Sequence, residues 1–250
     1  MAGIALRHTS DIQFRVDSVQ SSGPELEAIR NGISDARVFI GVCINHRMQG
    51  ERYLRSLFSW TLERVGSLRV VILDFLERHN IQVFNQCPPD EAMRHVLAEG
   101  DRVFRRAERL LAQIGAKQAS VIRFADLLRQ PEYSRAIEEI EALFESNQSF
   151  REAVHRELDA FTNTVIQAKP QRYEHYTYPQ DVRPLVRYVI EEVGAYLALF
   201  REGFSVEVFP GSDSVLLLNL AAGQYGAAFR DYYLRTHVSL VAEEEEVAHE

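Results

Sequence analysis

The chain has 250 residues, 46% hydrophobic and 26% charged, with a net charge of −8. That size suits one α/β domain of ordinary length, no apolar run is long enough to span a bilayer, and the acidic balance argues against a chain coated with nucleic acid. The only two cysteines, Cys43 and Cys87, make neither a disulfide framework nor a metal-ligand set. Residues 1–9 carry no apolar core of signal-peptide length, so a reducing, cytoplasmic setting is expected.

In chain order, residues 12–16 read as an edge strand and 24–32 as a short helix. The stretch Ala36-Arg-Val-Phe-Ile-Gly-Val-Cys43 reads as a strand buried on both faces. A helical pattern follows over 51–65, then a buried strand at 68–73 and a short strand at 81–84. Pro88 and Pro89 open a long helix over 90–114 that stops at Gly115. A strand at 120–124 precedes helices at 132–144 and 150–166. A tyrosine-rich polar loop at 169–179 leads to a helix at 181–200 and a strand at 204–209 that stops at Pro210-Gly211. An apolar stretch at 215–220 leads into a final amphipathic helix near Leu234. Strands alternating with helices predict an α/β fold with a doubly wound, mostly parallel sheet. One domain is expected over 1–240, with 241–250 as a disordered acidic tail. Because Glu243, Glu244, Glu245, Glu246 and Glu250 concentrate negative charge there, a local basic surface elsewhere remains compatible with the net charge.

Three features carry chemistry. The first is Cys43, at the carboxyl end of its strand, where open α/β sheets bind ligands. A free cysteine is commonly a small buried hydrophobe, and it is also a nucleophile when activated. Gly41, two residues earlier, lets a ligand or another backbone approach closely. The second is Arg102, Arg105, Arg106 and Arg109, which share one helix face. They read either as a solvated face countered by Glu99, Asp101 and Glu108, or as a stripe that neutralises phosphates and weakens its hold as salt rises. The third is Tyr188 and Glu192, four residues apart on one helix face. They read either as surface neighbours or as a phenol and carboxylate that hold a substrate ammonium. Glu191 sits on a different face.

These segments together resemble the aminoacyl-tRNA-dependent cyclodipeptide synthases. Phe39-Ile-Gly-Val-Cys43 is similar to the family's strand, glycine, apolar residue and nucleophile, with cysteine in place of serine. Tyr188-Val-Ile-Glu-Glu192-Val-Gly194 matches the family's Tyr and Glu, with Gly194 where a proline is expected. The arginine-bearing helix looks like the family's tRNA-receiving helix. Neither a Gly-rich phosphate loop nor the His-x-Gly-His and Lys-Met-Ser-Lys-Ser signatures of class I synthetases occur in the chain.

The resemblance implies a Rossmann-like core similar to the catalytic domain of class I tyrosyl- and tryptophanyl-tRNA synthetases. It implies an aminoacyltransferase of secondary metabolism that joins the amino acids of two aminoacyl-tRNAs into a diketopiperazine, as a monomer without cofactor or metal. Cys43 would carry an aminoacyl-enzyme and then a dipeptidyl-enzyme. Tyr188 and Glu192 would hold the amino group, and Arg102, Arg105, Arg106 and Arg109 would hold tRNA. Phe39, Gly41, Asn45, His46 and Phe209 would surround the substrate. Phe209-Pro210 places the chain nearer the family's Tyr-Pro branch, as does His46 three residues after Cys43, but Phe209 lacks the tyrosine hydroxyl that assists proton relay. The missing hydroxyl counts against full activity; His46 or a tyrosine of the 173–178 loop could take its place, but that is not the expectation. Two other readings share some of these residues: a cysteine-dependent acyltransferase or hydrolase, and a tRNA-binding relative without turnover.

Overall fold

Strand β2 (Arg37–Val42) lies inside a six-stranded sheet of order β1-β6-β5-β2-β3-β4. The computed structural model describes residues 12–21, 35–44, 50–168, 181–209, 214–226 and 236–243. The other strands are β1 (Gln13–Ser21), β3 (Ser67–Ile72), β4 (Ala119–Arg123), β5 (Val206–Phe209) and β6 (Thr236–Glu243). All neighbours pair in parallel except β1 and β6. Val38, Phe39 and Ile40 are sealed from solvent, so both faces of β2 are covered, as its β-branched and aromatic run predicts.

The helices are α1 (Glu51–Leu62), α2 (Asp74–Phe84), α3 (Pro89–Ile114), α4 (Phe124–Leu127), α5 (Pro131–Ser146), α6 (Gln148–Ala168), α7 (Arg183–Arg201) and α8 (Val215–Ala221). Pro89 stands in the first turn of α3, where its missing N–H costs nothing, and Gly115 closes the helix at φ 76°. Gly100 sits inside α3 because a Cβ there would collide with Asp74 and Arg123, which bridge α2 to β4.

One element differs from expectation. Residues 81–84 are the last turn of α2, not a strand. Leu76, Glu77, Asn80, Ile81 and Phe84 recur at helical spacing on one buried face, and a segment as short as Ile81-Gln-Val-Phe84 cannot by itself distinguish the two states. The sheet also reaches further than composition suggests. β6 continues to Glu243, paired with Gln13, into the span read as an acidic tail. The expected helices at 24–32 and near Leu234, the 169–179 loop and residues 244–250 lie outside the described residues. Among the described residues, no helix is long and apolar enough to cross a membrane.

Connectivity positions the site. From β2 the chain steps outward through β3 to β4, then returns to the other side of β2 through β5 and β6. The order therefore reverses between β2 and β5, which is where open α/β sheets form a ligand crevice. The pairing shows the opening directly. β2 pairs with β3 as far as Val42↔Ile72, but with β5 only at Val38↔Val206 and Phe39↔Glu207. Beyond that rung β5 stays with β6, through Phe209↔Ser239.

Candidate active site

Cys43 follows directly on β2 and is half-buried, at the mouth of the gap where β2 and β5 part. Gly41 is partly open to solvent although Ile40 and Val42 on either side are buried. A Cβ at Gly41 would stand 2.9 Å from Leu73 Cδ1 and 3.4 Å from the Tyr196 hydroxyl. Leu73 and Tyr196 thus close over Gly41 so tightly that only glycine fits beneath them. Phe39, Gly41 and Cys43 alternate onto one side of the strand, so the thiol lies on that same side.

Helix α7 supplies the opposite wall. Tyr188, Glu192 and Tyr196 follow one another at four-residue spacing and share a face. The Tyr196 ring packs against Phe39, with centroids 5.4 Å apart, and its hydroxyl donates to Glu192 Oε1 at 3.4 Å. The Tyr188 ring stacks on Phe161 of α6. Gly194 lets α7 approach α5 closely: a Cβ there would come within 3.1 Å of Ile137 Cδ1 and 3.4 Å of its Cα.

The electrostatics of this wall are unusual for a helix surface. Glu192 remains partly accessible, yet burial of its carboxyl, followed by the charges of Glu207, Glu157 and Glu77, pushes its pKa up to about 8. The Tyr196 hydrogen bond works in the opposite direction. Tyr196 itself is raised well above its ordinary value, first by burial and then by Glu192, Glu207, Cys43 and Tyr188. These groups therefore share one electrostatic environment.

Glu191, one residue away, has a different fate. Its carboxylate accepts from Arg78 at 2.8 and 2.9 Å and from Arg187 at 2.8 Å, and lies 3.2 Å from His79 Nε2. Burial would raise its pKa, but His79, Arg78 and Arg187 hold it down to about 2. Glu191 is a structural anchor between α7 and α2.

The arginine stripe on α3 faces outward. Arg102, Arg105 and Arg109 are exposed and Arg106 is half-buried, while Val103, Ala107 and Leu110 pack inward. Arg102 pairs with Glu99 at 2.8 Å, and Arg109 reaches Glu51 of α1 at 2.7 Å. Asp101, expected as a counter-charge for the stripe, is turned instead toward Arg123 of β4.

The structure thus brings Cys43, Gly41, Phe39 and Glu192 to one crevice, and Tyr188 onto the same face of α7 as Glu192. Asn45 and His46 lie outside the described residues, as does the side chain of Phe209, whose backbone ends β5. Two crevice residues were missed. Tyr196 continues the Tyr188–Glu192 spacing by one more turn, a signal the sequence did carry. Glu207 stands opposite Phe39 and is only 3% exposed, and a carboxylate in a short strand carries no such sign.

A mostly parallel sheet with a cysteine at its switch point and a raised-pKa carboxyl on the helix across from it defines a Rossmann-like α/β protein. No curated protein matches the chain. The family profile described as Cyclodipeptide synthase matches residues 30–201. The chain belongs to the cyclodipeptide synthase family, and is accordingly an aminoacyl-tRNA-dependent transferase. Among solved structures it is similar to a cyclodipeptide synthase from Fluoribacter dumoffii, at TM-score 0.69 and 16% identity over 93% of this chain and 97% of that one. It is also similar to a cyclodipeptide synthase from Candidatus Glomeribacter gigasporarum bound to Phe-tRNA, at TM-score 0.59 and 18% identity over 84% and 88%. A tyrosyl-tRNA synthetase from Archaeoglobus fulgidus shares the fold at TM-score 0.51 and 13% identity, over 90% of this chain and 61% of that one.

Proposed function

We propose that the chain joins two aminoacyl units, each delivered on a tRNA, into a diketopiperazine, with Cys43 carrying the first unit as a thioester. The observation that supports this most is the place where β2 and β5 part: a thiol just past the end of β2, and across from it Glu192 with its raised pKa, hydrogen-bonded by Tyr196, whose hydroxyl lies close over Gly41.

In the first transfer, Cys43 Sγ bonds to the aminoacyl ester carbon. The bond to the terminal ribose oxygen of tRNA breaks, and that oxygen takes the thiol proton. Phe39 bounds the space for the first side chain, while Tyr188 and Glu192 hold the amino group. An α-ammonium has a pKa of about 7.7–8.0, close to that of Glu192, so the carboxylate can accept its proton at little cost. The freed amine then attacks the ester carbon of the second aminoacyl-tRNA, releasing that tRNA and leaving a dipeptidyl thioester. The amine of the second unit attacks the thioester carbon, the C–S bond breaks, and the ring closes. The arginines of α3 hold the phosphates of the first tRNA; the tRNA-bound relative supports the same partner here.

The test is mass spectrometry of extracts from bacteria overproducing the chain, beside Cys43→Ala. A cyclic dipeptide that appears only with the thiol is expected. Folded protein that yields no such product rules this function out.

A further inference from the structure

We propose that the Tyr196 hydroxyl is the proton carrier of this crevice, passing the proton from the attacking amine toward Cys43 Sγ as the ring closes. The inference rests on the reading above, and takes it to a residue that neither motif contains.

The geometry places this hydroxyl between the two ends of the proton's path. At one end it is 3.4 Å from Glu192 Oε1, the carboxylate that meets the amine. At the other it lies over Gly41, 3.4 Å from where a Cβ would stand. Cys43 is two residues further along the same side of β2, a rise of about 6.6 Å. Phenol and thiol are near enough for Cys43 to act on the ionisation of Tyr196. The ring has little freedom to leave. It is 2% exposed and packed on Phe39, which is itself held by Phe200 and Phe204 at 5.5 and 6.2 Å. A buried phenol normally completes a hydrogen bond with its hydroxyl, and here the partner is the Glu192 carboxylate at the crevice.

Ring closure needs such a carrier. As the second unit's nitrogen bonds to the thioester carbon, it must lose a proton, and the departing sulfur must regain one. Glu192 takes the proton from nitrogen. Tyr196 accepts it from Glu192 while giving its own hydroxyl proton to sulfur, so the phenol ends unchanged and no charge accumulates on it. The raised pKa of Tyr196 agrees with a hydroxyl that is never left ionised. Phe209, at the end of β5, carries no hydroxyl that could do this.

The experiment supplies wild type and Tyr196→Phe with a mixed pool of fully charged bacterial tRNA. Intact mass on Cys43 and released cyclic dipeptide are followed over time. The variant is expected to load Cys43 and to accumulate the dipeptidyl adduct, while product release falls at least 100-fold, within the roughly 10²–10⁴ range of general acid–base assistance. Incorporating 3-fluorotyrosine at 196, which keeps a hydroxyl, is expected to restore release and to guard against a packing defect. Release by Tyr196→Phe at the wild-type rate overturns the assignment. So does loss of Cys43 loading in both variants, which marks Tyr196 as structural. Product from wild type without any adduct on Cys43 overturns the thioester route itself, and is recognised because it appears before any variant is compared.

Discussion

Phe39 and Glu207 face each other on the last rung that joins β2 to β5, and beyond that rung the strands part. The pair marks the floor of the crevice, with an aromatic ring on one strand and a buried carboxylate on the other. Glu207 is the strongest charge acting on Glu192, second only to burial in raising its pKa. A neutral Glu192 cannot pair with an ammonium, so capture of the amino group weakens as pH falls below about 8. Glu207→Gln removes the repulsion and lowers that pKa. The acid limb of single-turnover Cys43 loading is expected to move to lower pH in Glu207→Gln. An unmoved limb would show that Glu192 does not govern capture.

Gly41 tests the packing over β2. In Gly41→Ala the new methyl meets Leu73 Cδ1, the mobile end of a side chain, so the fold tolerates it. The same methyl presses on the Tyr196 hydroxyl, and through it on Glu192. A misplacement of about 1 Å can cost on the order of 100-fold in rate. Loading of Cys43 is expected to drop by about that factor with little change in melting temperature; Gly41→Val is expected to abolish it.

Adjacent glutamates on α7 should respond oppositely. Glu191→Gln leaves the largely buried Arg78 without its carboxylate, and a loss of roughly 3–5 kcal/mol is expected. The native Glu191 pKa lies below its ordinary value of 4.5, so its stabilisation is complete above that value and is lost as pH falls toward 2. Glu192 has the opposite sign. Its pKa is raised, so its ionisation costs stability progressively as pH climbs from 4.5 toward 8. Glu192→Gln is expected to melt no earlier than wild type at pH 8 while losing cyclic dipeptide formation. Denaturant melts of both variants across pH, beside product assays, check the contrast.

The α3 arginines should matter to tRNA and hardly to the fold. Arg102–Glu99 and Arg109–Glu51 are exposed ion pairs of the kind worth about 0–1 kcal/mol. Alanine at Arg102, Arg105, Arg106 and Arg109 is expected to weaken tRNA binding. It should also flatten the plot of log affinity against log salt by roughly 0.7–0.9 for each phosphate that is no longer neutralised. Filter binding across a salt series measures both. An unchanged salt slope would assign the stripe to solvation alone.

The sequence by itself determined the local periodicities and what each element could present. The bulky run ending at Gly41 and Cys43 declared a buried strand with a thiol at its end. Prolines and Gly115 bounded α3, and 3.6-residue spacing put four arginines on one face and Tyr188 with Glu192 on another. Spacing assigns residues to a face but not to a partner. That is why residues 81–84, too short to show a period of their own, were legible only once packed in α2 against α3. It is also why Glu191 and Glu192 looked alike until Arg78, His79 and Arg187 closed around one of them. The crevice was decided by tertiary structure alone. It exists because the chain reverses its order across the sheet, so that β5, distant in sequence, pairs with β2 for two rungs and then leaves it. That divergence sets Glu207 beside Phe39 and aims Tyr196 over Gly41, and burial among like charges then raises the pKa of Glu192.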